Sequence, residues 1–376
     1  MDSKYKPMVN SNQIISIGND MIDLLHIRID IPHKPFGNTR IKVAEADGNE
    51  KETRYSTTAN AYENGAPFIV TSMDSGKAVE IRCSPLKVLQ GHNVFGTDKV
   101  KSLGYRIICI ALKKQNIAVT EAQKEQWRAG EFEIKELHIT YRFKVQSYAT
   151  IGRVLTHLLR NTDLSFQPAT MKAGNGIKLT AKHKLAEWSL YDKLLEFNDK
   201  RRHEGKYLNA LVDNAKLVQR IEKNIRTSAR NSIRVELKLL SKYLVKHELN
   251  TGTAWDLQKV KGVYFKELAL LRLGTIKSIE HADILLDKIE DKKLRLTFLA
   301  WLKGEKLSNY HERQTLDSRC KEIQKAIGIN IKQDVVPVDG PPLDIFELFN
   351  RRNKLKNFPD WAKKYPAIAF KVPTDR

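Results

Sequence analysis

The chain of 376 residues has few cysteines, few acidic residues relative to basic ones, and no long apolar run. Its three cysteines, Cys83, Cys109 and Cys320, lie far apart and none belongs to a Cys-x-x-Cys pair. This argues against both a disulfide framework and a thiolate zinc site. No segment approaches the apolar length that crosses a bilayer, and the polar first five residues lack the core of a signal peptide. The sequence therefore predicts a soluble intracellular protein with no membrane partner.

The shortage of acid leaves a large positive charge. There are 65 lysines and arginines against 44 aspartates and glutamates, which gives a formal net charge of +21 and a pI near 9.7. Residues 151–250 contain 20 basic and 10 acidic residues, so about half of the surplus lies in about a quarter of the chain. Such an excess is typical of nucleic-acid binding, although a ribosomal protein, a membrane-surface protein or a solvated basic surface also carries it. Charge alone indicates only an anionic partner.

The length allows two domains, and the pattern along the chain is mixed. Residues 1–20 are polar and are predicted to be a disordered extension, because the first strand-like run begins at Met21. Apolar-rich runs at residues 105–112 and 133–145 flank a polar helical stretch at 119–128. Between residues 38 and 82, short strand-like runs are separated by turns at Asp47-Gly48, Asn64-Gly65 and Ser75-Gly76. This pattern predicts an α+β fold for the N-terminal two thirds.

The last third has helical spacing. Residues 294–302 form an apolar-rich helix, residues 311–327 a basic helix, and residues 328–331 a short strand. This order is compatible with a winged-helix or helix-turn-helix domain at 251–333, whose second helix enters a major groove, and equally with a helical packing domain. The groove-binding alternative predicts DNA contacts from Arg313, Arg319 and Lys321. Several prolines after residue 336 predict a tail with little regular structure at 334–376.

A loop after a strand offers a candidate phosphate site. The β-rich run at residues 79–83 is stopped by Ser84-Pro85, because proline lacks an amide proton and restricts φ. Turn-forming residues follow, with glycine at positions 91 and 96. Lys87, His92 and Asn93 are thereby predicted on the loop side of a strand, where they can hold a phosphate.

A strand at residues 135–141 carries the first candidate for chemistry. A period of two places Glu136, His138 and Thr140 on one face and apolar residues on the other. A carboxylate and an imidazole side by side on a rigid strand can hold a divalent metal ion. The alternative is an ordinary amphipathic strand with its polar face in solvent.

Two further segments carry candidates. If the strand-like run at 184–188 continues, Tyr191 and Lys193 share a face, and a nearby ammonium helps to stabilise a phenolate whose ordinary pKa is about 10. At residues 233–238, alternation places Arg234, Glu236 and Lys238 on one face. The alternatives are a packing tyrosine and a salt-bridged surface strand.

Three of these segments resemble the gene II replication initiators of filamentous phages. The resemblance is specific over residues 79–97 and extends to 191–196, which resembles the segment with the catalytic tyrosine, and to 234–238. Glu136-Leu137-His138 also has the outline of the His-hydrophobe-His motif of rolling-circle nickases, with glutamate replacing one histidine. It departs from the gene II pattern, in which arginine and aspartate flank the apolar residue.

The resemblance implies an antiparallel-sheet nickase domain at residues 21–250, followed by a mainly helical C-terminal domain. It implies a site- and strand-specific endonuclease that starts rolling-circle DNA replication and reseals the displaced strand. Tyr191 would attack the scissile phosphate, assisted by Lys193, to form a 5′-phosphotyrosyl intermediate and a free 3′-hydroxyl. Mg²⁺ or Mn²⁺ would be held by His138, Glu236 and Glu136.

The resemblance also implies partners. The DNA partner is the viral replication origin, as duplex and as single strand. The protein partners are the host helicase and polymerase, which places the protein in the host cytoplasm. An oligomer on DNA is one mode of assembly. The predicted DNA contacts are Lys87, His92, Asn93, Arg234, Arg313, Arg319 and Lys321. Two alternatives remain: a non-catalytic or degenerate DNA-binding replication regulator, and a tyrosine nickase of relaxase or transposase type.

Overall fold

The structure is a computed structural model of the chain. It describes residues 21–44, 50–160, 170–172, 176–180, 185–199, 204–271, 275–276, 282–302, 305, 307–332, 343–355 and 358–370. The predicted extension at 1–20 and the turn at Asp47-Gly48 lie outside these residues.

An open antiparallel sheet of ten strands organises the described residues. The strands follow one another across the sheet in the order β2-β3-β4-β5-β1-β6-β10-β9-β8-β7. Their bounds are β1 Met21–Asp30, β2 Thr39–Ala44, β3 Glu50–Asn60, β4 Pro67–Met73, β5 Ala78–Cys83, β6 Glu133–Lys144, β7 Thr170–Lys172, β8 Gly176–Thr180, β9 Ala186–Asp192 and β10 Ser232–Leu240. Every pairing between neighbours is antiparallel. The predicted α+β class is confirmed, as are the turns at Asn64-Gly65 and Ser75-Gly76, which separate β3 from β4 and β4 from β5.

Helices lie between and after these strands. They are α1 Pro85–Gln90, α2 Val100–Lys114, α3 Glu121–Ala129, α4 Tyr148–Arg160, α5 Lys193–Asn198, α6 Ala215–Ala229, α7 Ser241–Lys246, α8 Leu257–Ala269, α9 Ala282–Asp287, α10 Lys292–Leu302, α11 Arg313–Ile327 and α12 Ile345–Leu348. A small second sheet joins β11 (Thr275–Ile276) to β12 (Leu343–Asp344). Among the described residues, none of the helices combines the length and the apolar character of a membrane span.

The centre of the sheet has one apolar face and one polar face. On the apolar face, Tyr141 of β6 packs against Tyr264 of α8 with ring centroids 4.2 Å apart, and the Tyr264 hydroxyl donates to the Val235 carbonyl at 3.0 Å. The alternating residues of β6 and β10 point the other way, as the period of two requires. The polar residues singled out in the sequence therefore share the opposite face.

A second layer, which we call the cover layer, lies over one end of this polar face. It consists of residues 91–97, α5, the 3₁₀ helix Glu204–Ala210, α6 and residues 358–370. Its own apolar core includes Val94, Phe95, Phe197, Leu208, Val218, Ile221, Ile225, Ala229, Ala362 and Ile368. Because α5 contacts both β9 and β10, the cover layer buries the sheet face at the end of those strands.

Where it is described, the proline-containing tail packs against the sheet and the cover layer. The Leu355 amide donates to the Arg142 carbonyl at 2.7 Å, and the ring of Phe95 lies between Phe358 and Trp361, with centroid distances of 5.5 and 5.6 Å. The prolines do limit this segment to short helical turns. These short elements agree with the prediction of little regular structure, and the aromatic and aliphatic side chains of residues 358–370 complete the cover layer.

The helices α9, α10 and α11 pack around a third apolar core that contains Leu294, Phe298, Trp301, Cys320 and Ile323. Both helices predicted here are confirmed as α10 and α11. The predicted strand at 328–331 is not present: Gly328 ends α11 with φ of +72°, and a turn follows. A wing at that position is therefore not part of the structure.

Candidate active site

The candidate site lies on the polar face where β6, β10 and β9 run side by side. The register places Lys238 opposite His138, Glu236 opposite Thr140, and Arg234 opposite Tyr191. Glu136, His138 and Thr140 therefore share one face with Arg234, Glu236 and Lys238, as the alternation predicts. Three strands that are distant in sequence bring these side chains together.

His138 lies between two carboxylates. Its Nδ1 is 2.8 Å from Glu236 Oε1 and its Nε2 is 2.8 Å from Glu136 Oε1. Burial alone lowers the pKa of His138, but the hydrogen bonds and charges of both carboxylates outweigh it and raise the pKa to about 9. The ring is then an imidazolium that donates from both nitrogens.

Glu136 has further cationic neighbours at the open side of the site. Arg82 Nε donates to Glu136 Oε2 at 3.1 Å, and Lys238 Nζ lies 3.4 Å from Oε1. Burial raises the pKa of Glu136, yet the hydrogen bonds from His138 and Arg82 hold that pKa well below its usual range. Glu136 is therefore ionised throughout the neutral range.

Tyr191 is next to last in β9 and only 6% exposed. Its hydroxyl donates to Glu236 Oε2 at 3.2 Å. Burial raises the pKa of Tyr191 well above 10, and although Arg234 acts in the opposite direction, the phenol is neutral. Gly176 stands opposite in β8, where an added Cβ would lie 2.5 Å from the Cβ of Tyr191. A glycine at that position leaves the space that the tyrosine occupies.

Lys193 does not share a strand face with Tyr191, because the strand ends one residue earlier. Asp192 Oδ1 accepts from the amides of Leu194 and Leu195 at 2.7 and 3.0 Å, which makes it the N-cap of α5. Lys193 therefore starts a helix and is fully buried. Its Nζ donates to Asn93 Oδ1 at 2.8 Å and pairs with Glu196.

Asn93 connects Lys193 to a second buried cation. Asn93 Nδ2 donates to Asp23 Oδ1 at 2.6 Å, and Arg234 donates to the Asn93 carbonyl at 2.6 Å. Arg234 also lies 2.7 Å from Asp23 Oδ1, and its guanidinium carbon is 5.8 Å from the centroid of the Tyr191 ring. The structure thus joins the predicted residues Asn93, Lys193 and Arg234 in one buried cluster beside Tyr191.

Several predicted DNA contacts face the protein interior. His92 is buried, and its Nε2 donates to the Ile368 carbonyl at 3.0 Å. Asn93 and Arg234 are equally covered, so in this arrangement none of the three presents its side chain to a phosphate at the surface. The cause is local: Pro85 begins the helix α1 instead of a loop, and the residues after it enter the cover layer. Lys87, on α1, is partly exposed.

The predicted contacts on α11 differ among themselves. Arg313 and Lys321 are exposed. Arg319 turns toward α10, where it donates to Thr297 Oγ1 at 3.0 Å and lies within hydrogen-bond distance of His311.

Two site residues were missed in the sequence. Asp23 lies where β1 shifts its register between Ile22 and Leu24, and an acidic residue inside that apolar run is the signal that could have identified it. Arg142, two residues beyond Thr140 on the same face, donates to the Ser228 carbonyl at 2.7 Å. Burial, and then the charge of Arg234, lower its pKa to about 9.

The side chains of His138, Glu136 and Glu236 are of the types that bind a divalent cation, but they are not arranged around a common point. Among the described residues, no group of three His, Cys, Asp or Glu side chains has the arrangement of a metal centre. Each ring nitrogen of His138 faces a different carboxylate, so the three side chains lie in a row. An imidazole and two carboxylates are nevertheless ligands that Mn²⁺ and Mg²⁺ accept, once one ring nitrogen has lost its proton.

Comparison with known proteins identifies the class first. Residues 21–258, more than half of the chain, match a family of phage replication-associated proteins. That family is described as the N-terminal part of the replication-associated gene II protein, and the chain belongs to it. The resemblance to the gene II initiators is thereby confirmed.

Two individual proteins are similar to this chain. The replication-associated gene II protein of Enterobacteria phage I2-2 is 23% identical over 327 residues, which cover 85% of this chain and 90% of the relative. A solved structure of the rolling circle replication initiator protein from Geobacillus stearothermophilus is 10% identical and covers 61% of this chain and 78% of its own. The TM-score of this match is 0.26.

Proposed function

We propose that this protein is a phage rolling-circle DNA replication initiator, which nicks one strand of the origin through a phosphotyrosyl intermediate. Membership of the replication-associated family supports the biological process. The observation that carries the chemistry is the hydrogen bond from the Tyr191 hydroxyl to Glu236 at 3.2 Å. It joins a nucleophile to a base, and the base is oriented in turn by His138.

In the proposed reaction, Tyr191 is the nucleophile and Glu236 the general base. Glu236 takes the phenolic proton as the oxygen attacks phosphorus. The bond from phosphorus to the 3′ oxygen breaks and the 5′ phosphate stays on the tyrosine. The 3′ oxygen takes a proton from water, and Glu236 returns the phenolic proton to solvent. In the reverse transfer, a 3′-hydroxyl attacks the phosphotyrosine and closes the displaced strand without a nucleotide cofactor. The free 3′-hydroxyl would prime a host polymerase, with a host helicase opening the duplex.

Arg234 supplies fixed positive charge for this step. It faces the ring of Tyr191 and lowers the pKa of the phenol against the effect of burial. A guanidinium held beforehand by Asp23 and Asn93 stabilises the developing phenolate and phosphate charge without reorganisation. Lys193, whose Nζ is held by Asn93 and Glu196, adds to the same positive field.

A divalent cation, Mg²⁺ or Mn²⁺, would neutralise charge on the scissile phosphate when bound. His138 and Glu236 would hold it, with Glu136 as a further ligand or as the acceptor that orients the ring. A neutral His138 can offer one nitrogen and donate from the other, which is the usual arrangement of a metal-bound histidine and its carboxylate. Arg82 keeps Glu136 ionised for either role.

The test is covalent capture. Purified protein is incubated with supercoiled origin DNA and Mg²⁺, and the nicked circle is examined for attached protein. Tyr191→Phe should abolish the adduct while origin binding is retained, because it removes only the hydroxyl. Tyr243→Phe is a matched control, since Tyr243 is also a buried tyrosine that donates to a glutamate, Glu267, at 2.7 Å. An adduct at undiminished yield in Tyr191→Phe would mean that another residue is the nucleophile.

A non-catalytic DNA-binding replication regulator is a second candidate. The observation that favours it is the engagement of both His138 nitrogens by carboxylates, which leaves neither free in the present arrangement. The same experiment separates the two functions. A regulator would bind origin DNA tightly and form no adduct at any concentration of Mg²⁺ or Mn²⁺.

A further inference from the structure

A line of exposed positive charge lies on the outer side of α6. Its buried side is apolar and packs into the cover layer through Val218, Ile221, Ile225 and Ala229. Five cations, which we call the α6 ridge, are exposed on or just beyond the opposite side: Lys216, Arg220, Lys223, Arg226 and Arg230. At 100° per residue they fall within about a third of the helix circumference. The ridge is therefore a line of charge and not a ring around the helix.

Little acid offsets this line. Within α6 the only acidic residue is Glu222, which lies 3.5 Å from Arg226. The ridge extends over 14 residue steps, or about 21 Å. That length matches about six phosphates along one strand of B-DNA.

The ridge belongs to the layer that buries the candidate site. The helix α6 contacts α5, which begins two residues after Tyr191. The Ser228 carbonyl, near the end of α6, accepts the hydrogen bond from Arg142 on the polar face. DNA that reaches Tyr191 must therefore come close to the cover layer whose outer surface carries the ridge.

The helix predicted from sequence to grip DNA is a weaker candidate. The helix α11 has the same length as α6, but Asp317 and Glu322 lie among its cations, and Arg319 turns inward to Thr297. Three outward cations then remain against two acids. Of these two helices, α6 therefore carries the larger exposed positive surface.

We propose that the α6 ridge binds the phosphate backbone of the DNA that flanks the cleavage site. That the bound partner is DNA rests on the proposed function, whereas the line of positive charge is observed independently of it. Such contacts carry no base specificity, because phosphates are the same in every sequence. The ridge holds the DNA in place while other residues select the origin.

The experiment compares two triple variants of the full chain. The first is Lys216→Gln with Arg220→Gln and Lys223→Gln. The second, on α11, is Arg313→Gln with Lys321→Gln and Lys325→Gln, and it removes the same charge. Glutamine keeps a high helix propensity, so both helices are retained. Affinity for a labelled origin duplex is measured against NaCl concentration by fluorescence anisotropy.

We expect the ridge variant to reduce the slope of log affinity against log salt by about one for each cation removed, or nearly three in all. The α11 variant should change the slope by less than one. Parallel slopes for wild type and ridge variant would overturn the proposal. An equal reduction in both variants would also overturn it, because only net charge would then matter.

Two further measurements keep the outcome decisive. If the triple ridge variant fails to fold, Lys216→Gln and Lys223→Gln are measured singly, and each should reduce the slope by about one. Adduct formation on a short single-stranded origin oligonucleotide is followed in parallel. If the wild-type protein forms no adduct while the ridge variant still reduces the salt slope, the nicking function is contradicted and DNA binding by the α6 ridge is supported.

Discussion

Asp23 is predicted to be the residue on which the buried cations depend most. Arg234 has no exposed surface, and Asp23 lies 2.7 Å from it. Arg142 stands opposite Arg234 on the adjacent strand and is buried as well. Asp23→Asn keeps the volume and an acceptor oxygen for Asn93, so it removes charge and little else. It leaves the buried guanidinium of Arg234 without the carboxylate that lies 2.7 Å away.

Removing one partner of a buried ion pair costs about 3–5 kcal/mol, because the remaining charge is uncompensated. With a urea m-value of about 1–3 kcal/mol/M, the unfolding midpoint of Asp23→Asn should fall by about 1 M or more. The assay is urea unfolding followed by circular dichroism. Nicking should fall with stability, since Arg234 would lose its fixed position beside Tyr191.

The matched control is Asp30→Asn on the same strand. The side chain of Asp30 is 85% exposed and lies 3.5 Å from Arg28, so its loss should cost less than about 1 kcal/mol. A double-mutant cycle with Arg234→Met should show a coupling energy of at least about 2 kcal/mol between positions 23 and 234. Equal, small effects of Asp23→Asn and Asp30→Asn would refute the reasoning.

Three further outcomes are expected. In the metal-free protein, the ring of His138 should titrate by NMR at about pH 9. Because this folded pKa lies above the ordinary histidine value of 6.5, its contribution to stability is fully present below about pH 6.5 and is lost as pH rises through about 9. Titration near pH 6.5 would contradict the two-carboxylate geometry. Gly176→Ala should cost about 1–3 kcal/mol in unfolding free energy and lower adduct yield, since its Cβ meets the backbone and Cβ of Tyr191; a neutral effect would show that the strands can separate there. A chain ending at residue 342 loses the hydrogen bonds that Ile368 makes with His92 and Leu355 makes with Arg142. Its adduct yield should fall on the order of tenfold or more and recover when a peptide of residues 343–370 is added. An unchanged yield would instead support the expectation that residues 21–250 cleave alone.

The sequence by itself predicted the class of fold and the shared face of the central strands. Alternation with a period of two determines which residues of a strand share a side, whatever the partner strands are. Glu136 and His138, and likewise Arg234 and Glu236, were therefore correctly assigned to one strand face before the register of the strands was known. The helices α3, α10 and α11 followed from local spacing in the same way. Residues 79–97, 191–196 and 234–238 also carried enough family pattern to indicate a replication initiator.

Local signals failed where a strand ended or where distant segments met. Lys193 left the face of Tyr191 because Asp192 caps a helix, and a continuous strand pattern hides that change of direction. The burial of His92 and Arg234, two of the predicted DNA contacts, was not foreseen for a different reason. Exposure is not a property of the segment that carries a residue, since it depends on what else packs there.

Only the tertiary structure decided which charges are buried. Asp23, Asn93, Lys193 and Arg234 come from four segments up to about two hundred residues apart, and each alone reads as an ordinary polar residue. The cover layer brings them together because residues 358–370 supply apolar side chains that close over the loop at 91–97. Once they are removed from water, the ions must pair with one another, and the hydrogen bonds that result position the cations beside Tyr191.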